Sequence, residues 1–365
     1  RDPAQDLPYI AGLYDTEIHY VDRFLPALFD GLDADALART LFVFTADHGE
    51  ELFDHGGWKH GRTLYEEQLR VPFIVRWDGH LPAGVRVAGP VRLLDVAPTL
   101  VAAAGGQLPP SWQGHDLAPL LAGGAPAERS PLFAEHLADG PRRAAVIARR
   151  WKLILFDRQA PFSPGNELEA LSYRQELARL ERVELYDLAR DPGERRNLAS
   201  QRPDVVARLA PLVHDQLGRE RPGLRVLLAG VPEGGRLTVE LRCRRLPSGW
   251  EPLFLAADDR VTAAGDRLQL ELRGDPVAKG VLLPADTELL AVHTSGATPV
   301  RVRLGGGKLA GGTPTPAEMR HRGWPGGADD GPTLWLWLPP EGAPAVDARP
   351  DPETQRRLKA LGYVG

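Results

Sequence analysis

The side chains best able to do chemistry crowd into one short stretch, Thr45-Ala-Asp-His-Gly-Glu-Glu51, followed by Asp54-His-Gly-Gly-Trp-Lys-His-Gly-Arg62. A carboxylate beside an imidazole offers two donors to one cation, and Gly49 lets the backbone turn away behind them without a side-chain clash. Asp47 and His48 are therefore the candidate metal pair. The same Asp-His-Gly tripeptide also fits an ordinary turn in which Asp47 caps the next helix.

The elements around this stretch must bring it to the end of a strand. Leu41-Phe-Val-Phe-Thr45 is a short apolar run closed by a polar, Gly-containing turn, the pattern of a buried parallel strand feeding a loop at its carboxyl end, where ligand sites of such sheets lie. Before it, Ile10, Leu13, Tyr14, Ile18, Val21, Leu25, Leu28 and Phe29 recur at three- and four-residue steps. That spacing predicts a helix over 9–32 that packs on the sheet. After it, Val71–Arg76 reads as a second strand, and Leu93–Ala104 as a helix with Asp95 near its start and Gly105-Gly106 as its stop.

Four segments follow from this reading. Residues 1–125 form the last part of an α/β layer with a mostly parallel sheet and flanking helices. Residues 126–222 form a small antiparallel sheet, with strands near 131–135, 144–148, 151–156 and 184–188, plus a helix over 203–217. Residues 223–345 alternate apolar and polar side chains between Gly-rich turns, as in Arg236–Arg242 and Arg267–Arg273, and predict a separate β-sandwich-like accessory module. Residues 346–365 are a helical tail. Within the accessory module, Trp324, Trp335 and Trp337 could form an aromatic sugar platform, yet the Leu334–Leu338 alternation is more simply a strand with one buried face.

Composition removes several partner classes. With 43% hydrophobic and 25% charged residues in 365, the chain has the make-up of a globular protein of two or three domains. A net charge of -5 gives neither a basic footprint for nucleic acid nor a polybasic patch for anionic lipid. Its apolar runs are far shorter than the roughly 20 residues that span a bilayer, so no transmembrane helix is expected. One cysteine, Cys243, excludes an internal disulfide and a thiolate metal cluster, and its place in a predicted strand makes it a small core residue.

Several motifs then occur in a fixed order: Phe44-Thr-Ala-Asp-His-Gly-Glu50, His55-Gly-Gly-Trp58, Leu64-Tyr-Glu66 and Arg70-Val-Pro72. Tyr14-Asp-Thr-Glu-Ile18 with Asp22 stands before them. Leu94–Leu100, Gln113-Gly-His-Asp-Leu117, Trp151–Ile154 and Glu184–Leu188 through Asn197 stand after them. This ordered set, over roughly residues 9–217, resembles the sulfatase family of the alkaline-phosphatase superfamily. The resemblance implies an alkaline-phosphatase-like α/β domain with a small C-terminal antiparallel subdomain, hydrolysing a sulfate ester at one divalent cation, usually Ca2+. Asp47 and His48 would be two of its ligands. Many members carry Asn where this chain has His48, and imidazole also suits Zn2+ or Mn2+. Lys59 and His60 would face the sulfuryl oxygens or the leaving alkoxide, with His60 favoured over Lys59. His55 takes either a catalytic or a loop-stabilising role, and Arg70 would support the fold through an ion pair; apart from these, His115 in Gln-Gly-His-Asp is only a minor candidate for the substrate pocket.

The family's nucleophile is a formylglycine made from a Cys or Ser in a Cys-x-Pro-x-Arg type motif, and the family has two further Asp ligands. Cys243 lacks that context. Since the sequence opens Arg1-Asp-Pro3 without Met or a signal segment, it reads as the C-terminal part of such an enzyme, missing its N-terminal half and inactive alone. The substrate class implied is a sulfate ester, sulfated glycans included, and the location implied is extracytoplasmic. Two alternatives keep other classes open. One is a phosphate mono- or diester hydrolase of the same superfamily; the other is a non-catalytic paralogue that binds a glycan or a partner chain.

Overall fold

The computed structural model describes residues 3–87, 89–124, 131–136, 142–157, 180–220, 223–232, 234–247, 249–297, 299–304, 307–308, 319 and 331–338. The expected tail over 346–365 and Trp324 lie outside the described residues. Two compact units are formed, one drawn from Arg1–His136 with Arg190–Arg195, the other from Leu137–Ala189 with Arg196–Gly365.

In the first unit, helix α1 (Pro3–Asp30) leads through α2 (Ala34–Ala38) into strand β1 (Phe42–Thr45). Asp33 caps α2 by accepting from the Ala36 amide at 2.7 Å. The helix is where its periodicity puts it, but its apolar stripe does not pack on the sheet: Leu13, Ile18, Val21, Phe24 and Leu28 are exposed, and Tyr9 is 70% exposed. Contact with β1 comes near its end, where the Phe29 and Phe42 rings lie 4.7 Å apart. Helical spacing sets which side chains share a face and leaves open what covers that face.

β1 pairs with β4 (Phe73–Arg76), and the pair is antiparallel, with Phe42 opposite Arg76 and Thr45 opposite Phe73. That corrects the mostly parallel sheet expected here. An apolar run of this length states burial, not direction, and the pairing partner decides direction. Between the two strands lie the short hairpin strands β2 (Glu51–Leu52) and β3 (Trp58–Lys59), and one turn of helix, α3 (Glu66–Leu69). Beyond β4, α4 (Val96–Ala103) stops at Gly105, whose φ of 74° favours a residue without Cβ. α5 (Ala118–Leu121) and β5 (Leu132–His136) complete the unit. Arg70 makes no ion pair among the described residues and is exposed, so its expected fold-supporting bridge is absent there.

In the second unit, β6 (Arg143–Ala148), β7 (Trp151–Phe156) and β8 (Val183–Asp187) form an antiparallel sheet. Helix α6 (Pro203–Glu220) lies over β6 and β7 and buries Val205, Val206, Leu209, Val213 and Leu217. The remaining strands are β9 (Leu224–Ala229), β10 (Arg236–Cys243), β11 (Glu251–Leu253), β12 (Arg260–Ala264), β13 (Arg267–Arg273), β14 (Lys279–Leu283), β15 (Leu289–Gly296), β16 (Arg301–Leu304), β17 (Gly307–Lys308) and β18 (Thr333–Trp337). They make two sheets, ordered β12-β13-β10-β15 and β11-β14-β9-β18-β16-β17. Alternate residues of both sheets line one core: Val226 and Leu228 of β9, Val239, Leu241 and Cys243 of β10, Leu268 and Leu270 of β13, and Leu334 and Leu336 of β18.

The accessory strands are not set apart from the small subdomain. His214 of α6 donates from Nε2 to the Ala278 carbonyl at 2.9 Å, and Arg225 of β9 donates to the Leu217 carbonyl of α6 at 2.9 Å. Because the second sheet is covered on both faces here, Trp335 and Trp337 are 5% and 1% exposed, and neither offers a sugar platform. The expected single buried face of that strand gives way to two. Alternation reports polarity, whereas Arg225 and Lys279 are buried through specific partners.

Candidate active site

The candidate residues stand where β1 ends. Gly49 is there because two backbones meet: its amide donates to the Gln68 carbonyl at 2.8 Å, and a Cβ at this position would lie 2.0 Å from the Glu67 carbonyl oxygen. The chain then runs into β2, turns through Phe53 and Gly56, both at positive φ, and returns as β3, with Glu51 opposite Lys59 and Leu52 opposite Trp58. Glu50 and His60 follow as the next pair across the hairpin. Glu50 Oε2 accepts from His60 Nδ1 at 2.8 Å.

This hairpin turns on Glu51, which is 1% exposed. Its carboxylate accepts from the Gly57 amide at 2.6 Å, from Thr63 Oγ1 at 3.0 Å and from Gln68 Nε2 at 3.2 Å. A buried carboxylate holds its charge only with such donors around it. Gly57 is required to be small, since a Cβ there would sit 2.3 Å from Glu51 Oε1.

His48 donates from Nδ1 to the Gly49 carbonyl at 2.9 Å, leaving Nε2 without a hydrogen bond among the described residues. Its ring lies against that of His60, with centroids 4.1 Å apart and planes at 31°. Asp47 is exposed, with Oδ1 3.8 Å from His48 Nε2. Donors on one cation, each bound at about 2.0–2.5 Å, stand up to about 4–5 Å apart, so Asp47 and His48 fit a shared divalent ion. The Lys59 side chain lies outside the described residues.

His55 is placed differently. Nδ1 meets Glu67 Oε1 at 2.6 Å, Nε2 meets the Glu194 carbonyl at 3.0 Å, and the ring stacks on Tyr65 at 3.7 Å. Burial alone would lower its pKa, but the Glu67 bond, the Glu194 carbonyl and the charges of both acids outweigh that and raise it. Glu194 also accepts from the Glu66 amide at 2.6 Å through its side chain.

His115 is exposed; its amide donates to Asp95 Oδ1 at 2.9 Å, while Gly114 presses on the Leu94 carbonyl. Asp95 is buried, which opposes its charge, yet the Arg92 guanidinium and the amides of His115 and Arg92 hold its pKa below the usual carboxylate range. Sequence reasoning assigned no role to Glu50, Glu51, Glu67, Gln68 or Glu194. The Gly56-Gly57 turn between two short runs was the available signal, because a hairpin closed there sets Glu50 and Glu51 opposite His60 and Lys59.

Comparison with known proteins finds relatives for this part of the chain. The family model Sulfatase matches residues 3–106. Human arylsulfatase A is 34% identical over 194 residues, covering 49% of this chain and 38% of that protein. Mouse steryl-sulfatase is 33% identical over 226 residues, covering 55% and 36%. The chain thus spans well under half the length of these curated relatives. Among solved structures, the phosphonate monoester hydrolase of Agrobacterium radiobacter is 26% identical, covers 58% of this chain and 41% of its own, and superposes with a TM-score of 0.45.

Proposed function

We propose, for a chain whose residues 3–106 match the sulfatase family model, that the complete protein hydrolyses a sulfate ester, using His60 at the reacting group and Asp47 with His48 as two ligands of a divalent cation. One observation carries this reading: the turn after β1 and the β2–β3 hairpin bring His48, Glu50 and His60 together, with Asp47 beside them. The cation, Ca2+ or an ion that imidazole suits better, would supply charge to the sulfuryl oxygens. The attacking group in this reading is a formylglycine outside these 365 residues.

The chain's own part is to hold and move a proton. As imidazolium, His60 gives its Nδ1 proton to the Glu50 hydrogen bond and presents Nε2–H outward. There it can meet a sulfuryl oxygen, or protonate the leaving alkoxide as the S–O bond breaks, so that the alcohol departs neutral. Lys59, one residue away, is the second candidate cation at the sulfuryl group. His55, with both ring nitrogens engaged, enters as a positioning residue that ties the hairpin turn to Glu67 and Glu194.

The test is an assay with an aryl sulfate and an aryl phosphate on the gene extended upstream of Arg1. His60→Ala should lower kcat for sulfate release by about 10²–10⁴ with a smaller change in KM, and Asp47→Ala should abolish release through loss of the cation. An extended protein that binds its metal and is inert to both esters would end this reading. Preference for the phosphate ester would move it to the phosphatase branch.

A further inference from the structure

Asp47 and His48 are the pair expected to hold a cation, yet the group of three ligand side chains that the fold gathers among the described residues is a different set. Nitrogens of His48 and His60 and an oxygen of Glu50 lie within 4.8 Å of one another. Two imidazoles and one carboxylate are the donor set of borderline ions such as Zn2+ and Co2+, whereas Ca2+ takes six to eight oxygens. The surroundings match as well. A ligating histidine is usually fixed by a hydrogen bond from its other nitrogen to a carbonyl or carboxylate. His48 has that bond, from Nδ1 to the Gly49 carbonyl at 2.9 Å, which aims Nε2 away from the backbone. His60 has no hydrogen bond at Nε2 among the described residues, since its one polar partner is Glu50 at Nδ1. The side chains of His48, Glu50 and His60 are 36%, 24% and 44% exposed, so an ion can reach them.

We propose that His48, Glu50 and His60 form a site for a borderline divalent cation of the zinc or cobalt class, and that filling it withdraws His60 from the sulfuryl group. The second half rests on the role given to His60 above; the first does not. His48 Nε2 can serve only one ion at a time, so an ion in this site competes with one held by Asp47 and His48. Zinc would then act on the complete enzyme as an inhibitor, and the hard cation would relieve it.

The experiment titrates Co2+ and then Zn2+ into the 365-residue chain, reading the visible Co2+ absorption, quenching of the neighbouring Trp58, and heat. One ion should bind, with the intense band of low-coordinate Co2+, and Zn2+ should displace it. His60→Ala and Glu50→Gln should each weaken binding by at least about tenfold, while Asp47→Ala, which removes only a nearby charge, should weaken it less than either. Thermal melts of the variants check folding, and Glu50→Gln, which barely changes side-chain volume, keeps the test decisive if His60→Ala loses its fold. Affinity that falls in Asp47→Ala and not in the other two would overturn the proposal, as would the absence of saturable Co2+ binding. Hydrolysis by the extended gene with Ca2+ alone is a separate arm. Its failure beside normal Co2+ binding sinks the sulfatase reading and leaves this site standing.

Discussion

At the scale of single residues, Gly49 and Gly57 show why this stretch tolerates so little. Both stand where a Cβ would overlap a neighbour, but the neighbours differ in kind. At Gly49 the obstacle is the Glu67 backbone carbonyl, which cannot move without shifting α3; at Gly57 it is the tip of the Glu51 side chain. Gly49→Ala should therefore cost about 3 kcal/mol and Gly57→Ala about 1–2 kcal/mol in urea unfolding. Equal costs would show that the two backbones do not meet as described. His60 and Glu50 illustrate the complementary point, that one 2.8 Å bond decides which imidazole nitrogen is left for chemistry.

At the scale of elements, the β2–β3 hairpin is too short to stand by its own ladder, which has only two residue pairs. Glu51 supplies the missing order by gathering Gly57, Thr63 and Gln68 around one carboxylate. Glu51→Ala leaves these donors facing a dry hole. We expect a local loss of about 3 kcal/mol, seen as amide exchange at Gly57 faster by about a hundredfold, with the exchange of β7 unchanged. Exchange rates at Gly57 that match the parent would mean the turn holds itself. The same logic explains His55, which ties the turn to Glu67 and to the Glu194 carbonyl.

At the scale of the whole molecule, the second unit is held by charged and titratable groups that its core excludes from water. Lys279 and Asp259 are 2% and 4% exposed, and Nζ lies 2.7 Å from Oδ2. Burial presses the Lys279 pKa down against the pull of Asp259. Lys279→Met strands the carboxylate and should cost about 3–5 kcal/mol in urea unfolding; a cost under about 1 kcal/mol would show that the Ala256 and Arg273 amides suffice for Asp259. His214 gives the unit a pH dependence. Burial, above all, lowers its pKa to about 4, with Arg225 adding to the effect and the Ala278 carbonyl opposing it. The unfolded chain then takes up a proton that the folded chain refuses, so stability is full above about pH 6.5 and falls as pH drops toward about 4, by about 3 kcal/mol. Unfolding curves at about pH 7 and about pH 4.5 should differ less in His214→Leu than in the parent, and an unchanged difference would remove His214 as the cause.

What the linear chain carries and what folding adds divide along a physical line. Local structure was legible in the sequence: the helix of α1, the strands near Phe42, Trp151, Arg236 and Arg267 and the glycine stop after α4 follow from periodicity and turn residues, while the ordered motifs were legible as a resemblance to sulfatases. These depend on neighbours three or four positions away, which the chain itself places. Direction and cover depend on partners far along the chain. So the antiparallel β1–β4 pairing, the exposed stripe of α1, the burial of Trp335 and Trp337 and the union of α6 with the accessory sheets appeared only in the tertiary structure. The candidate site divides in the same way. Asp47 and His48 could be named from type and adjacency, and His60 from the family resemblance, while the Glu50 bond that orients His60, the three donors on Glu51 and the engagement of both His55 nitrogens are contacts that only folding creates.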